Sequence, residues 1–300
     1  MCSPRLLSQV YESIEREDRK VSRRSIFAAL GVTALGATAL AGGTASATPA
    51  ARPLEGSTLV DLTHVLTTDF PVWPGAQSFE MKNLARIAST GGSLGSLGSL
   101  ESLGSGSSFY LNELRMGEHT GTHIDAPAHA SADGITVEKI PVADLIVPIA
   151  VIDISVRAEA DNNTVLTRAD ILDWETVHGM LPSRSLVAMN SGWDARLSVD
   201  GAFTNQDAIG RQHTPGFDPD AVDFLVRERE IVALGSDTLS IDAGRSTTYG
   251  AHRNALGSGK YAVEALANLS TLPPVGATVM IGAPTHAGGS GGPCRVIAWH

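Results

Sequence analysis

An eleven-residue window, His119-Thr-Gly-Thr-His-Ile-Asp-Ala-Pro-Ala-His129, places the strongest constraint on how this chain can fold. On a straight strand, at about 3.3 Å per residue, His119 and Asp125 would lie roughly 20 Å apart. Ligands of one metal ion must instead lie about 2.0–2.2 Å from it, and therefore close to one another. A continuous helix is excluded, because Gly121 weakens it and Pro127 cannot continue it. The segment must therefore curl to form one site, and Gly121 is the natural bend.

The side chains in this window suit metal ligation. The imidazoles of His119 and His123 and the carboxylate of Asp125 suit zinc, manganese or iron, and they leave coordination positions open for water. An isolated histidine in a chain of this length is ordinarily structural or exposed. Three histidines and an aspartate within eleven residues, together with a glycine and a proline, indicate a functional site instead.

The same window belongs to a longer pattern that spans most of residues 58–300. Its other blocks are Asp61-Leu-Thr-His64, Val72-Trp-Pro-Gly75, Asn190-Ser-Gly-Trp193, Leu234-Gly-Ser-Asp237-Thr-Leu-Ser-Ile-Asp242, and His252-Arg-Asn-Ala-Leu-Gly257 with Glu264. With its core of His-x-Gly-Thr-His-x-Asp-x-Pro-x-His, the chain resembles the cyclase family of metal-dependent hydrolases. That family includes bacterial kynurenine formamidases and isatin hydrolases.

The resemblance implies roles for the polar residues of these blocks. It makes His129 the acid/base, and it assigns five residues to a divalent metal, zinc or manganese: His119, His123, Asp125, His252 and Glu264. The last two would lie at the same centre and bind a second ion where the site is dinuclear. The sequence leaves open whether one ion or two bind, and which metal it is.

The expected activity is metal-dependent hydrolysis of a small amide or cyclic amide. The cation lowers the pKa of a bound water and polarises the scissile carbonyl. His129 takes a proton from that water and returns it to the leaving group. Trp73 and Trp193 lie in blocks that we expect to line the pocket, and two roles stay open for each of them, substrate binding or packing in the core.

Two alternative functions stay open. One is an exported metal-binding protein without catalysis, and the other is a lactonase or lyase that uses the same centre. The presence of His129 favours an enzyme, because a protein that only binds metal needs no acid/base beside its ligands. No nucleophile motif competes, since the chain has no Gly-x-Ser-x-Gly elbow and Cys294 lacks a convincing partner.

Hydrophobic periodicity predicts a single mixed α/β domain over residues 58–300, with a β-barrel-like or layered sheet core flanked by helices. Strands and helices alternate along the chain without an obvious second core. The pattern predicts strands within residues 58–63, 143–154, 185–191, 231–234, 277–281 and 295–299, and helices over 166–177, 218–229 and 260–269. Thr167 is the expected N-cap of the first helix. Residues 91–108 repeat Gly-Ser-Leu and are expected to form a surface loop.

Residues 1–47 have the layout of a cleaved export signal, followed by a linker over residues 48–57. The pair Arg23-Arg24 precedes an apolar run, and Ala45-Ser-Ala47 after it offers a cleavage site. The paired arginines resemble a twin-arginine signal, so we expect a secreted or periplasmic protein. An uncleaved N-terminal anchor is the alternative, although the apolar run is short for a membrane span.

Charge and cysteine content limit the partners of the chain and the means of its stabilisation. The formal net charge is −10, which repels nucleic acid and anionic membranes, so we expect neither as a partner of the mature protein. The expected partners are a small-molecule substrate and further copies of the chain, in a homo-oligomer (dimer or tetramer). Of the two cysteines, Cys2 falls in the export signal and Cys294 stands alone, so packing must replace a disulfide.

Overall fold

The computed structural model describes residues 56–87, 105–107 and 110–300. The predicted export signal, most of the linker and most of the Gly-Ser-Leu tract lie outside these residues. In chain order, the strands are β1 (Leu59–Asp61), β2 (Glu80–Ile87), β3 (Ser105–Ser107), β4 (Leu111–Arg115), β5 (His123–Asp125), β6 (Ile146–Asp153), β7 (Val165–Leu166), β8 (Leu186–Asn190), β9 (Gly216–Phe217), β10 (Ala233–Ser236), β11 (Tyr261–Glu264), β12 (Ala277–Gly282), β13 (Gly291–Pro293) and β14 (Arg295–Trp299). The α-helices of the described part are α1 (Ser155–Ala160), α2 (Arg168–His178), α3 (Pro219–Glu228) and α4 (Gly250–Gly257).

Nine strands of the described residues form one sheet, in the order β1-β14-β12-β6-β8-β10-β11-β5-β13. The central strands β6, β8, β10 and β11 are parallel, and the outer strands on both sides pair antiparallel with their neighbours. The sheet curls, because Thr63, just after β1, forms an antiparallel bridge with Leu266, just after β11. The predicted α/β fold with a barrel-like sheet and flanking helices is confirmed.

Strand β6 shows how both faces of the sheet are buried. Val147, Ile149 and Val151 pack into an apolar cluster built mainly from sheet residues. Ala150 and Ile152 pack into a second cluster, which includes residues of α2, α3 and α4. Alternate side chains of a strand point to opposite faces, so the helices cover one face of the sheet. Burial on both faces from Ile149 to Ile152 explains why this part of β6 is continuously apolar in the sequence.

Helices α2 and α3 begin where the sequence predicts. The Thr167 hydroxyl accepts a hydrogen bond from the Asp170 amide (3.3 Å), and the Asp170 carboxylate accepts one from the Thr167 amide (2.7 Å). Such a cap typically contributes about 1 kcal/mol, so Thr167 is confirmed as the N-cap of α2. Asp218 caps α3 by accepting from the Asp220 amide (2.8 Å). Within the described ranges, no helix is long and apolar enough to span a bilayer.

The helix predicted over residues 260–269 is wrong, because strand β11 occupies Tyr261–Glu264. All four residues of β11 are buried, and the strand pairs with β10 on one side and β5 on the other. A short apolar run with one glutamate fits both helical and strand periodicity, and pairing on both sides selects the strand. Ala265 and Asn268 have φ values of 51° and 57°, which are incompatible with a continuing helix.

Strands β2, β3 and β4 form a separate three-stranded sheet that was not predicted from the sequence. Strand β3 falls within the Gly-Ser-Leu tract that was expected to be a loop, and it pairs parallel with β2. Strands β2 and β4 pair antiparallel, with Glu80 opposite Arg115 at one end. The described part of the tract therefore forms a strand and not a loop.

Gly216 brings β9 close to the loop that carries Asp242, and its replacement tests this packing. A Cβ at residue 216 would lie 2.0 Å from the Ala243 amide nitrogen and 2.3 Å from the Asp242 carbonyl carbon. Because the backbone must move, we expect Gly216→Ala to lower the free energy of unfolding by about 1–3 kcal/mol. Gly257→Ala is the control, since a Cβ there meets nothing within 4 Å and stability should be equal or slightly higher. Urea denaturation measures both, and two equally stable variants would contradict the close approach.

Candidate metal centre

The predicted curl of the histidine window is present. Gly121 has a φ of +66°, which favours glycine, and it turns the chain into strand β5. Pro127 then begins the 3-10 turn Pro127–His129, directly after the strand. Strand β5 lies between β11 and β13, and its register places His123 directly opposite Glu264. The curl and the register therefore bring residues that are distant in sequence to one place.

His123 presents one ring nitrogen as a free ligand. Its Nδ1 lies 2.8 Å from the Gly121 carbonyl oxygen, which can only accept, so Nδ1 carries the hydrogen. Its Nε2 is buried and has no hydrogen-bond partner among the described residues. This nitrogen lies 3.2 Å from Asp125 Oδ1 and 3.4 Å from Glu264 Oε2. A ring nitrogen held between two carboxylates in this way fits a metal ligand, because a bound cation can take the place of the proton that the carboxylates otherwise stabilise there.

Helix α4 carries His252 to the same centre. Asp242 accepts hydrogen bonds from the Ala251 and His252 amides (2.9 and 3.1 Å) and from His252 Nδ1 (2.7 Å). Because Asp242 holds Nδ1, the opposite nitrogen faces the centre, with Nε2 3.3 Å from Asp125 Oδ2 and 3.1 Å from Glu264 Oε1. A carboxylate behind the ring is the usual means of orienting a ligating histidine. Asp242 thus positions a predicted metal residue.

Both carboxylates at the centre engage neighbours through both oxygens. Asp125 Oδ1 faces His119 and His123, whereas its Oδ2 faces His252. Glu264 Oε2 faces His123, whereas its Oε1 faces His252. Two buried carboxylates among these imidazoles supply the negative charge that a divalent cation needs. The structure therefore brings together all five residues that the resemblance assigns to metal.

The electrostatics of the centre favour positive charge. Burial lowers the pKa of His123, but the Asp125 and Glu264 carboxylates raise it to about 10. Burial also lowers the pKa of His252, and the carboxylates of Glu264, Asp125 and Asp242 raise it well above its usual value. Burial raises the pKa of Asp125, and the neighbouring histidines hold it well below its usual range. A field that stabilises imidazolium also stabilises a divalent cation, so the donor set fits such an ion.

His129 stands at the open side of the centre. Its ring centroid lies 3.9 Å from that of His119 and 5.7 Å from that of His252. Partial burial lowers the pKa of His129, the Asp125 carboxylate raises it, and His119 and His252 lower it further. Ligand atoms of His119, Asp125 and His129 lie within 4.8 Å of one another. The geometry therefore fits His129 both as an acid/base and as a further ligand, and its role stays a prediction.

A cavity of about 610 Å³ opens beside these residues. Its polar wall includes five residues of the predicted site: His119, His123, His129, His252 and Glu264. Its apolar wall includes Val72, Trp73 and Tyr249, and the ring centroids of Trp73 and Tyr249 lie 6.4 Å apart. The volume and this mixture of walls suit a small molecule with a few polar groups.

Trp193 does not line this cavity, and of the two roles left open for it the structure supports packing in the core. Its side chain is fully buried in a cluster with Phe70 and Phe203. Its Nε1 donates a hydrogen bond to the Phe203 carbonyl oxygen (2.8 Å), and the Arg196 guanidinium carbon lies 3.8 Å from the ring centroid. A large indole with its nitrogen satisfied stabilises a core, and this is the role of Trp193.

Two residues behind His119 were not predicted from the sequence. Ser290 Oγ lies 2.9 Å from His119 Nε2, and the Glu118 carboxylate accepts a hydrogen bond from Ser290 Oγ (2.6 Å). In the sequence, the cluster Gly288-Gly-Ser-Gly-Gly292 could have pointed to Ser290, because glycines mark places where backbones approach closely. The single serine inside that cluster is the residue that contacts His119 from behind.

Comparison with known proteins identifies relatives of this chain. The model of the family described as "Putative cyclase" matches residues 60–243, more than half of the chain. The isatin hydrolase of Roseibium aggregatum is 37% identical over 203 residues, which cover 64% of this chain and 76% of that protein. The kynurenine formamidase of Salinibacter ruber is 27% identical over 240 residues, which cover 80% of this chain and 96% of that protein.

Solved structures agree with this relationship. Isatin hydrolase A from Ralstonia solanacearum superposes with a TM-score of 0.74 at 32% identity, over 88% of this chain and 99% of that chain. An isatin hydrolase bound to the product analogue thioisatinate superposes with a TM-score of 0.73 at 29% identity, over 93% and 99%. The relatives carry the names of hydrolases, which confirms the predicted enzyme class. The chain belongs to the cyclase family, as its histidine window predicts.

Proposed function

We propose that this chain is a metal-dependent hydrolase of a small amide or cyclic amide. One observation carries the proposal: buried His123 Nε2 faces two carboxylates beside a cavity of about 610 Å³. The names of the relatives, isatin hydrolase and kynurenine formamidase, support an amide as the substrate class. Isatin is the first compound to test, because the relative that is 37% identical is named for it.

The proposed cofactor is one or two divalent cations, zinc or manganese, held by His119, His123, Asp125, His252 and Glu264. A bound cation supplies Lewis acidity, which polarises a carbonyl and makes a water molecule more acidic. The chain itself supplies orientation, because Asp242 and the Gly121 carbonyl hold the rings of His252 and His123 from behind. Asp125, with both oxygens engaged, supports two cations more than one.

We assign proton transfer to His129. Its ring lines the cavity beside His119, where the amide of a bound substrate would stand. A neutral imidazole accepts a proton from the attacking water and then donates it to the leaving nitrogen. The water oxygen bonds to the carbonyl carbon as the carbon–nitrogen bond breaks, so one proton passes overall from water to nitrogen. A cyclic amide would open to an amine and a carboxylic acid.

The apolar wall supports an aromatic substrate. Trp73 and Tyr249 face the cavity with their rings tilted by 59° to each other, and they offer two surfaces against which a ring can pack. Trp73 therefore remains a proposed substrate-binding residue. Because these side chains lie on loops and not in the sheet, they set the orientation of the substrate without forming part of the metal centre.

Removal of the cation tests the metal requirement. Exhaustive chelation should abolish amide hydrolysis, and zinc or manganese should restore it, because both polarisation and water activation depend on the ion. Asp125→Asn should lose bound metal, since it removes charge from the residue that faces three histidines. Asp173→Asn, at an exposed position on α2, should keep both metal and activity. Elemental analysis and turnover measure both variants, and full activity of the metal-free protein would rule out the proposal.

Replacement of His129 distinguishes the proposed hydrolase from the alternative function, a protein that binds metal without catalysis. We expect His129→Ala to keep its metal, while kcat falls roughly 10²–10⁴-fold through loss of positioned proton transfer. KM should change little, because the lost interaction belongs mainly to the transition state. His178→Ala, at an exposed position, is the matched control and should behave as wild type. Loss of metal from His129→Ala would make the residue a ligand, and unchanged kcat would favour the metal-binding alternative.

We also propose export through the twin-arginine route, on the basis of residues 1–47 of the sequence. A variant that combines Arg23→Lys and Arg24→Lys should accumulate inside the cell as an uncleaved precursor, because the route reads its paired arginines. Secretion of the wild-type chain is the control, and N-terminal sequencing of its mature form should begin at or near Thr48. Normal secretion of the double variant would indicate the general secretory route.

A further inference from the structure

The two nitrogens of His119 face in opposite directions. Nδ1 lies 2.6 Å from Asp125 Oδ1, at the metal centre, and Nε2 lies 2.9 Å from Ser290 Oγ, on the far side of the ring. His123 has the reverse arrangement, since its Nδ1 bonds the Gly121 carbonyl and its Nε2 faces the carboxylates. The contact behind each ring therefore decides which nitrogen reaches the centre.

Glu118 determines where the hydroxyl hydrogen of Ser290 points, and thereby which role Ser290 has toward His119. The Glu118 carboxylate accepts hydrogen bonds from Ser290 Oγ (2.6 Å) and from the Ser290 amide (3.3 Å). A serine hydroxyl has one hydrogen, and a carboxylate can only accept, so the hydrogen of Ser290 goes to Glu118. The lone pairs of Ser290 Oγ are then left to accept from His119 Nε2–H. With a cation at the centre, Nδ1 would carry no hydrogen, and the contact with Ser290 would hold the ring hydrogen at Nε2, so that Nδ1 is the ligating nitrogen.

The loop that carries Ser290 packs against the histidine window, residues 119–129. Its backbone is tied down on both sides of the serine, because the Ala126 amide donates to the Ser290 carbonyl (2.8 Å) and Gly291 pairs with Asp125 in the sheet. A Cβ at Gly291 would lie 2.3 Å from the Ile124 carbonyl oxygen and 2.8 Å from His119 Cε1. Only glycine allows this approach, so the position of Ser290 behind the ring is built into the backbone.

We propose that Ser290 and Glu118 are positioning residues that select Nδ1 of His119 as its metal-binding nitrogen, while His123 binds through Nε2. This inference rests on the metal centre of the proposed function and adds a way of orienting one of its ligands. Partners behind ligating histidines commonly change metal affinity about 10–100-fold when they are removed. Ser290 and Glu118 do not line the cavity, so their contribution acts through His119.

Cadmium substitution of protein labelled with ¹⁵N-histidine tests the choice of nitrogen directly. One-bond couplings between ¹¹³Cd and ¹⁵N should appear at His119 Nδ1 and at His123 Nε2 in the wild type. Ser290→Ala should weaken metal binding about 10–100-fold and lose the defined coupling at His119, whereas the coupling at His123 should remain. Ser290→Thr keeps the hydroxyl and should restore most of the affinity. Ser198→Ala, at an exposed serine, is the matched control.

Glu118→Ala provides a second variant that does not remove the hydroxyl. Without the carboxylate, the hydroxyl hydrogen of Ser290 is free to point at His119, and Ser290 no longer has to accept from His119 Nε2–H. Glu118→Ala should therefore weaken metal binding, as Ser290→Ala does. Urea denaturation of the metal-free variants should match the wild type, which separates positioning from a general loss of fold.

Coupling of wild-type His119 through Nε2, with His123 still bound, would overturn this inference and leave the proposed function intact. Unchanged affinity and couplings in both variants would overturn it as well, whereas absence of any histidine coupling in the wild type would refute the metal centre itself.

Discussion

Asp125 and Glu264 are two buried carboxylates on neighbouring strands, and their burial is tolerable only because positive charge stands between them. An isolated buried ion costs several kcal/mol, even after the surrounding protein relaxes. His123 and His252 offset that cost, since each approaches both carboxylates within 3.4 Å. A divalent cation would offset it further. The arrangement that makes two acidic side chains stable in the core is therefore the same arrangement that suits a metal ion.

The sheet supplies the rigidity of this centre, and the loops supply its contact with solvent. Strands β5 and β11 hold His123 and Glu264 directly opposite each other, in a register that the sheet maintains from both sides. The cavity wall depends on residues outside those strands, such as Trp73, Tyr249 and His129. This separation allows the loops to change the substrate while the proposed metal ligands stay fixed, which suits a family whose named relatives differ in substrate.

The turn at Gly121 explains why two histidines four residues apart reach the centre in different ways. His119 precedes the turn and meets the loop of Ser290, whereas His123 follows it and enters strand β5. A helix would have presented both rings from one face through equivalent atoms. Because the chain curls instead, each ring has its own partner behind it, with the opposite nitrogen of His119 toward Asp125 and that of His123 toward Asp125 and Glu264.

Local chemistry in the sequence was enough to predict the bend at Gly121, the cap at Thr167 and the alternation of strands and helices, because each depends on residues a few positions apart. The family pattern added five residues as proposed metal ligands, and the fold brings these five together. The strand β11, the burial of Trp193 and the contact of Ser290 with His119 were decided only by tertiary structure. A four-residue apolar run becomes a strand when strands pair on both sides of it, and an indole becomes core when Phe70 and Phe203 enclose it. Ser290 lies 171 residues from His119, a separation at which only the folded backbone determines which side chains meet.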